Sequence, residues 1–403
     1  MMSNESTFHF SSVPNSFSTV LNPLYRAREA ALRNGDTIVD LISGNVNHQG
    51  IFFPQDLLKE IFLQALPMAK SYQPDSFGQL KAREAVSQYY ASHSLSIPAH
   101  QIVLTPGTSV SYSYCFQLLA DPGDEILCPS PSYPLFEMIA RLAHVHLTSY
   151  RLVESRAWEI DLDYLESRIT TRTRAIVAIS PHNPTGAVTS AEQWTELAAI
   201  ARRHHLPIIS DEVFSEFVYE SVPLPRPAGR DAPLIFTLNG FSKMFALAGV
   251  KLGWIAVSGD DPLVKKSMRA LELISDTFLP VNEVVQFAVP AIFESGGEFL
   301  RSYQAWVKTC HEIAVLSLGN CHALEFVSPQ GGFYLTGRIK GESESEDQLV
   351  ISILDHCKAL VHPGYFYDIP PAHIVLTFVQ EPATLKKTVN CIAEHLDALL
   401  LSP

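Results

Sequence analysis

Short apolar segments alternate with helical segments from residue 101 to residue 257, and turns rich in Gly, Pro, Asp or Asn separate them. This alternation is typical of an α/β fold with a mainly parallel, doubly wound sheet that carries helices on both faces. Ligands in such folds bind beyond the carboxyl ends of the strands, so the residues after each strand are the first candidates for a site. The predicted strands are Gln101–Thr105, Glu125–Cys128, His144–Tyr150, Arg174–Ile179, Leu206–Ser210, Leu234–Leu238 and Gly253–Val257.

A possible anion site follows the first of these strands. Gly107, Thr108 and Ser109 precede the predicted helix Val110–Leu119. Free backbone N–H groups at a helix N-terminus, beside hydroxyl groups, suit a phosphate. The same residues are also ordinary helix N-caps, so the motif by itself leaves both interpretations open.

Three further side chains follow other strands. Tyr133 lies in the turn PSPSYP and could equally be an ordinary turn aromatic, while Asn183 lies in the rigid turn SPHNPTG. Asp211 comes directly after the strand Leu206–Ser210. A carboxylate at a buried strand end is costly unless it faces a cation.

Lys243 lies in the segment LNGFSKMFALAGVKLGW, after a strand and a small polar turn. A lysine in apolar surroundings can lose hydration, and its pKa then falls towards the range in which the amine is a nucleophile. The segment alone favours an ordinary surface lysine after a turn. The residues that converge on the same rim of the sheet favour the nucleophile.

Composition excludes several classes of protein. The chain has 403 residues, of which 47% are hydrophobic, and a net charge of −13, which argues against a nucleic-acid partner. No run approaches the ~18 apolar residues of a membrane span, and the polar N-terminus lacks the pattern of a secretory signal, so we expect a cytoplasmic protein. No metal site is indicated. Six cysteines without a CxxC pair are expected to be reduced and mostly buried: Cys115, Cys128, Cys310, Cys321, Cys357 and Cys391.

The combination of these features matches the needs of pyridoxal 5′-phosphate. Its aldehyde needs a lysine, its phosphate an anion site, its pyridine nitrogen a carboxylate and its ring a flat partner. The chain resembles the class I/II aminotransferases of the fold-type I pyridoxal-phosphate enzymes from about residue 22 to residue 399. The motifs that carry the resemblance are YQPDSFGQLKAR, LTPGTS, DPGDEILCPSPSYPLF, PHNPTG, SDEVF, NGFSKMFALAGVKLGW and PQGGFYL.

The resemblance implies a role for each motif residue. Lys243 would be the Schiff-base lysine and the base that moves the substrate proton. Asp211 would hold the pyridine N–H, Asn183 would donate to the ring oxygen O3′, and Tyr133 would stack on the ring.

The phosphate contacts are also implied by the resemblance. Gly107, Thr108 and Ser109 would bind the phosphate, with help from Ser242. Tyr72 would reach the phosphate of a neighbouring subunit, which implies a homodimer with shared sites. Gly44 lies in a turn that either contacts substrate together with Asn183 or only reverses the chain.

Three positions depart from the family pattern. Lys251 stands where the family has a phosphate-binding arginine, and it supplies charge without a bidentate fork. Phe214 stands where a tyrosine usually donates to O3′. Val375, in the segment His373–Phe378, aligns with the arginine that binds the substrate α-carboxylate. Either Arg26, Arg28 or Arg338 takes over this role, or the substrate lacks an α-carboxylate there.

The resemblance predicts two domains and a reaction class. A cofactor domain is expected at residues 50–290, and a small domain at residues 1–49 and 291–403, with a linking helix at Glu283–Ser302. The expected function is transfer of an amino group between an amino donor and a keto acid. A β-lyase, decarboxylase or cyclase on the same fold is the alternative. A non-catalytic regulator is disfavoured because the lysine is present.

Helices and strands are also expected outside the alternating region. The apolar spacing predicts helices at Pro23–Asn34, Pro54–Leu66 and Gln79–His93, and a strand at Thr37–Ile42. Gly331–Tyr334 is interpreted as a strand beside the site, although core packing alone would explain Phe333.

Overall fold

The computed structural model describes residues 22–133, 135–219, 223–278, 281–341 and 345–401. The first 21 residues, whose polar pattern entered the prediction of location and which begin the expected N-terminal arm, lie outside the described residues, as does Pro134 of the PSPSYP turn. The strands are β1 (Val39–Asp40), β2 (Ile102–Thr105), β3 (Glu125–Ser130), β4 (His146–Val153), β5 (Glu159–Ile160), β6 (Thr173–Ile179), β7 (Ile208–Asp211), β8 (Leu234–Gly240), β9 (Gly253–Gly259), β10 (Leu324–Phe326), β11 (Tyr334–Ile339), β12 (Ala359–Leu360), β13 (His362–Pro363) and β14 (His373–Thr377).

The helices fill the connections between these strands. The α-helices are α1 (Pro23–Arg33), α2 (Gln55–Ala65), α3 (Leu80–Ser92), α4 (Thr108–Leu119), α5 (Leu135–Leu142), α6 (Leu162–Ser167), α7 (Ala191–Arg203), α8 (Phe241–Met244), α9 (Asp261–Phe278), α10 (Glu283–Ser295), α11 (Gly297–Leu318), α12 (Glu346–Cys357) and α13 (Pro382–Leu401). Short 3₁₀ helices are formed by Val46–Gln49, Leu66–Lys70, Ala99–Gln101, Glu154–Arg156, Ala248–Val250 and Gly364–Tyr367.

An eight-stranded sheet has the order β2-β9-β8-β7-β6-β3-β4-β5. The five strands β8, β7, β6, β3 and β4 pair in parallel, whereas β9 pairs antiparallel with both β2 and β8. Every residue of β2, β7 and β8 is buried, as expected for strands that helices cover on both faces. The carboxyl ends of the parallel strands therefore meet along one edge, where the candidate site residues follow.

A second sheet of four antiparallel strands has the order β10-β11-β14-β13. In its register Val375 of β14 lies opposite Thr336 of β11 on one side and opposite His362 of β13 on the other. A separate parallel pair joins β1 to β12. This pair brings the segment after β1, which contains Gly44, towards the second sheet.

Local sequence signals explain several helix ends. Asn22, Ser190 and Asn282 each accept a backbone N–H in the first turn of α1, α7 and α10. Ser345 and Gln348 form a reciprocal capping box at the start of α12. These caps satisfy N–H groups that have no partner inside the helix.

The strand predictions agree with the structure. All seven predicted strands of the alternating region are present with ends shifted by at most three residues, and the helices predicted at Pro23–Asn34, Pro54–Leu66 and Gln79–His93 are present. The strand expected at residues 331–334 begins only at Tyr334, while Phe333 is fully buried.

The predicted single linking helix at Glu283–Ser302 is wrong. The structure has two helices here, because α10 ends at Ser295 with Gly296 as its C-cap and α11 begins at Gly297. Two consecutive glycines weaken a helix, since each loses more backbone freedom than other residues on becoming helical.

The expectation that all six cysteines are reduced is also wrong. Cys357, at the end of α12, and Cys391, in α13, form a disulfide with their Cα atoms 5.8 Å apart. The two residues are 34 positions apart, and the packing of α12 on α13 brings them together. The other four cysteines are free and buried, as expected.

Membrane-spanning helices and metal clusters are both absent from the described residues. Within them, no helix is both long and apolar enough to span a membrane. The described part of the chain likewise contains no cluster of three His, Cys, Asp or Glu side chains that could hold a metal ion.

Candidate active site

Lys243 lies in the short helix α8, directly after β8. Its ammonium nitrogen donates a hydrogen bond to the carbonyl oxygen of Gly44, with an Nζ–O distance of 2.8 Å. Burial lowers the pKa of Lys243 from 10.5 to about 8. The rings of Phe214 and Phe333 both lie with their centroids 5.8 Å from Nζ. The lysine is therefore surrounded by apolar groups and a neutral carbonyl, which favour the nucleophilic amine.

Gly44 permits this contact because it has no side chain. A Cβ atom at Gly44 would lie 2.7 Å from the hydroxyl oxygen of Tyr334 and 3.2 Å from the lysine nitrogen. Any other residue would displace one of the two. The predicted turn at Gly44 thus contacts the lysine, and its role towards substrate stays a prediction.

Asp211 is the last residue of β7, and 6% of its surface is exposed. The hydroxyl of Tyr112 donates to Oδ2 and the backbone N–H of Val213 donates to Oδ1, each across 2.9 Å. Burial raises the pKa of Asp211 from 3.8 to about 6, although both hydrogen bonds lower it and the neighbouring Glu212 adds to the rise. A positively charged group of a ligand would relieve this cost.

One cavity gathers the predicted residues. Those that line it are Thr108, Ser109, Tyr133, Asn183, Asp211, Phe214, Ser242 and Lys243. Its wall also contains Tyr334, from the segment interpreted as a strand beside the site. The lining residues that the sequence did not single out are Tyr112, Leu135, Phe136, Ile139, Ile179 and Val213. The spacing could have predicted Tyr112 as a site residue. It lies four residues after Thr108, and residues with this spacing share one face of a helix such as α4.

The N-terminus of α4 forms the edge of this cavity. Gly107 is the N-cap residue of α4 and has a φ of +135°, a backbone conformation that residues with a side chain rarely adopt. No atom lies within 4 Å of the place that a Cβ at Gly107 would occupy. The free N–H groups of α4 and the hydroxyls of Thr108 and Ser109 can therefore accommodate a phosphate.

The buried amide oxygen of Asn183 supports a ligand or water that donates a hydrogen bond at this place. Its Oδ1 atom has no hydrogen-bond partner among the described residues. A buried polar atom without a hydrogen-bond partner destabilises the protein unless a ligand or water forms a hydrogen bond with it. Together with a lysine, a carboxylate and an anion site, the cavity fits pyridoxal 5′-phosphate.

Phe214 packs in the cavity wall without a polar contact. Only 3% of its surface is exposed, and its ring meets those of Phe333 and Tyr334 edge to face, with centroids 5.0 and 6.2 Å away. The side chain therefore offers no hydroxyl to a ligand.

Three predicted phosphate ligands are not among the residues that line the cavity, namely Gly107 at its edge, Lys251 and Tyr72. Lys251 is exposed and adopts a left-handed conformation after the 3₁₀ helix Ala248–Val250. Tyr72 has 70% of its surface exposed and lies beside a separate surface depression that includes Asp75 and Glu283.

Val375 is almost completely buried in β14, with 1% of its surface exposed. Residues directly opposite in antiparallel strands point to the same face, so Val375 shares a face with Thr336 and His362. The Thr336 hydroxyl donates to the carbonyl of Pro184, next to Asn183, across 3.0 Å. Tyr334, which lines the cavity, lies two residues before Thr336 in β11 and so shares this face. The face that carries Val375 therefore looks towards the cavity, although Val375 itself is not among the lining residues.

The three candidate cations lie elsewhere. Arg338, two residues beyond Thr336, donates to Glu325 across 2.7 Å and pairs with Glu154 at 3.6 Å. Arg26 is exposed on α1, and Arg28 is partly buried on the same helix. None of the three lines the cavity.

Comparisons with known proteins identify the family to which the chain belongs. The family described as aminotransferase class I and II matches residues 36–392. The alanine aminotransferase of Mycobacterium tuberculosis is 31% identical over 395 residues, which cover 94% of this chain and 90% of that protein. The glutamate-pyruvate aminotransferase of Escherichia coli is 29% identical over 390 residues, which cover 94% and 95%.

Solved structures show the same fold. The alanine aminotransferase of Pyrococcus furiosus superposes with a TM-score of 0.89 at 24% identity and covers 97% of this chain and 100% of its own. An aminotransferase from Escherichia coli superposes with a TM-score of 0.85 at 28% identity, over 97% and 98% of the two chains. The chain belongs to the class I and II aminotransferases, with a fold-type I α/β architecture, and is a pyridoxal-phosphate-dependent aminotransferase.

Proposed function

We propose that Lys243 binds the cofactor covalently and carries the substrate proton during amino transfer between an amino donor and a keto acid. The observation that carries this proposal is the burial of Lys243, which lowers its pKa to about 8 beside a cavity that also holds Asp211. An amine with this pKa is partly in its neutral form near physiological pH, and the neutral form can accept a proton.

The residues around the lysine would hold the cofactor as the family resemblance implies. Asp211 would pair with the protonated pyridine nitrogen, Asn183 would donate to the ring oxygen O3′, and Tyr133 would stack on the ring. When bound, the cofactor supplies an electron sink for the carbanion at the substrate carbon.

The phosphate would lie at the start of α4. The N–H groups after Gly107 and the hydroxyls of Thr108, Ser109 and Ser242 would contact it, since these three hydroxyl residues line the cavity. Lys251, although exposed, would add positive charge nearby.

The substrate end is atypical. The names of the relatives, alanine aminotransferase and glutamate-pyruvate aminotransferase, refer to amino acids, which carry an α-carboxylate. At the position where the family has an arginine, this chain has Val375, which offers neither charge nor hydrogen bond. A bare carboxylate against valine would be strongly disfavoured. We therefore propose a donor whose group at this position is not a simple α-carboxylate.

A homodimer with shared sites is also part of the proposal. Large apolar side chains are exposed on and after α2, and such a patch marks an interaction surface. They are Leu63, Leu66, Met68 and Tyr72, with exposed fractions of 61, 59, 48 and 70%. In the dimer Tyr72 would reach the phosphate of the partner.

We further propose that residues 50–290 form the cofactor domain, and that residues 1–49 and 291–403 form the small domain. The eight-stranded sheet lies within the first range and the four-stranded sheet within the second. A cytoplasmic location stays a prediction.

The reaction class is tested with panels of amino donors and keto acids. Amino transfer converts the cofactor to its amine form and regenerates it with a keto acid, whereas β-elimination releases pyruvate and ammonia. Formation of pyruvate and ammonia without the amine form would contradict the proposal. A crystal soaked with a productive donor would show which groups contact its far end.

Shared sites are tested by mixing inactive subunits. Tyr72→Phe and Lys243→Ala subunits are refolded together, and hybrid dimers regain one complete site if Tyr72 acts across the interface. Absence of recovered activity in dimers shown to be hybrid would contradict the shared site.

A further inference from the structure

Val375 stands where the family has an arginine, and a polar residue lies opposite it in the adjacent strand. His362 of β13 lies directly opposite Val375, so both side chains occur on the face that looks towards the cavity. Its exposed fraction is 9%. A buried imidazole therefore lies beside the position from which the family arginine would reach a substrate.

Two tyrosines hold this imidazole from opposite sides. The hydroxyl oxygen of Tyr25, on α1, lies 2.9 Å from Nε2 of His362, and the hydroxyl oxygen of Tyr367 lies 3.0 Å from Nδ1. We call Tyr25, His362 and Tyr367 the Tyr-His-Tyr cluster. A neutral imidazole has one N–H and one acceptor nitrogen, so one tyrosine donates to the ring and the other accepts from it.

The tyrosine that accepts from the imidazole keeps its own hydroxyl proton free. Tyr367 is the better placed of the two, because its phenol lies near those of Tyr334 and Tyr133, which both line the cavity. The backbone carbonyl of Tyr367 also accepts a hydrogen bond from the N–H of Ser132, the residue before Tyr133. The cluster therefore lies next to segments that line the cavity, although none of its own three residues is a lining residue. In this arrangement the hydroxyl of Tyr367 would be the donor towards a ligand.

The cluster is uncharged near neutral pH. Burial lowers the pKa of His362 from 6.5 to about 4, and Asp40 opposes this only partly. Burial raises the pKa of Tyr25, Asp40 adds to the rise, and Arg28 lowers it. Asp40 and Arg28, which act on the cluster in these ways, carry charges of opposite sign.

We propose that the Tyr-His-Tyr cluster replaces the family arginine as the group that recognises the donor next to its reacting carbon, and that it selects a neutral hydrogen-bonding substituent, such as a primary amide, over a carboxylate. This inference rests on the proposed amino transfer and names the class of donor. A carboxylate facing neutral groups and the carboxylate of Asp40 lacks the cation that would offset its lost hydration. An amide needs only a donor and an acceptor, which hydroxyl and imidazole groups supply.

The test compares matched donors that differ only at this position. Alanine and alaninamide, leucine and leucinamide, and phenylalanine and phenylalaninamide are mixed with the cofactor-loaded enzyme, and conversion of the cofactor is followed by its visible absorbance. This half reaction needs no keto acid. We expect each amide to react with a kcat/KM roughly tenfold or more above that of its acid, the size of effect that an unpaired buried charge produces.

Tyr367→Phe should remove this preference. The variant keeps the ring but loses the hydroxyl. The ratio of kcat/KM for the amide to kcat/KM for the acid should therefore fall by roughly tenfold, because kcat/KM for the amide falls. Tyr365→Phe is the matched control, since Tyr365 is 43% exposed and its hydroxyl contacts Asn22 and Asp347 instead. It should leave the ratio unchanged.

A second readout does not depend on turnover. The enzyme is labelled with ¹⁵N-histidine, and the ring signals of His362 are identified by their loss in His362→Gln. We expect a neutral imidazole at pH 7 that takes up a proton only well below its ordinary pKa.

Two results would overturn the inference. One is a preference for acids over amides in every reactive pair, and the other is a His362 imidazolium at pH 7, which would make the cluster a substitute cation. If no donor converts the cofactor, the proposed amino transfer fails, and the charge state of His362 still decides whether the cluster is neutral.

Discussion

The side-chain nitrogen of Lys243 donates to the backbone carbonyl of Gly44 across 2.8 Å, although the two residues are 199 positions apart. A carbonyl oxygen is a neutral acceptor, so it orients the lysine without holding its charge as a carboxylate would. Burial can then lower the pKa of Lys243 to about 8. The contact therefore keeps the nitrogen in place and still available as an amine.

Replacement of Lys243 tests its assignment. Lys243→Ala should lower kcat by about 10²- to 10⁴-fold, the range typical of a lost acid–base group. Borohydride should attach the cofactor to Lys243 alone in the wild type, as peptide mass spectrometry can show. Lys251→Ala, the matched control, should retain the label. A label on another lysine would contradict the assignment.

The lowered pKa of Lys243 predicts how cofactor capture depends on pH. The neutral amine is the nucleophile, so the rate of covalent attachment to cofactor-free enzyme should rise with pH and level off above about 8. Stopped-flow absorbance after addition of pyridoxal 5′-phosphate measures this rate. A midpoint near the ordinary 10.5 of lysine would show that burial has not shifted the group.

Asp211 should destabilise the cofactor-free enzyme at neutral pH. Its folded pKa of about 6 lies above the ordinary 3.8, so its contribution to stability is fully present below pH 3.8 and is lost as pH rises through 6. Asp211→Asn should therefore raise the free energy of unfolding above pH 6 by up to about 3 kcal/mol, at ~1.4 kcal/mol per pKa unit.

The same variant should bind the cofactor less tightly, because it no longer pairs with the protonated ring nitrogen. Denaturant unfolding of the cofactor-free proteins at pH 4 and pH 7, with a cofactor titration, measures both effects. Equal stability of the two proteins at pH 7, or an unchanged cofactor affinity, would contradict the assignment of Asp211.

Phe214→Tyr should restore a hydroxyl that the family usually has at this place. A hydroxyl that donates to O3′ stabilises its negative charge, so the apparent pKa of the cofactor's visible absorbance should fall by about one unit. Spectroscopic pH titration of both proteins tests this. An unchanged or higher value would refute the prediction, provided that a crystal structure shows the new hydroxyl in the cavity.

Val375→Arg should improve ordinary amino-acid donors. A guanidinium can form a bidentate, charge-assisted pair with an α-carboxylate, and we expect kcat/KM for alanine to rise by roughly 10- to 100-fold. Val375→Met, a long apolar side chain, is the matched control and should give no such gain. Melting temperatures of both variants check that the buried site tolerates the larger residue. A wild type that already uses alanine or aspartate with KM values of the usual ~1 μM to 1 mM range would contradict the proposed donor class.

Much of the fold could be predicted from local patterns. The seven strands of the alternating region were placed within three residues, because their apolar runs and turns repeat at the strand and helix periods. The single helix predicted at Glu283–Ser302 is instead divided at Gly296–Gly297. The fold-level resemblance also placed Lys243, Asp211 and Asn183 around one cavity, since parallel strands end at the same edge.

The sequence by itself determined where the strands lie along the chain and which residue types follow them, because both depend on neighbours within a few positions. Only the tertiary structure decided that Gly44 contacts Lys243, that Cys357 bonds Cys391 and that His362 lies beside Val375. Each of these contacts joins segments that are distant along the chain or belong to different strands. Their geometry follows from the packing of whole elements and from sheet register, which no local pattern encodes.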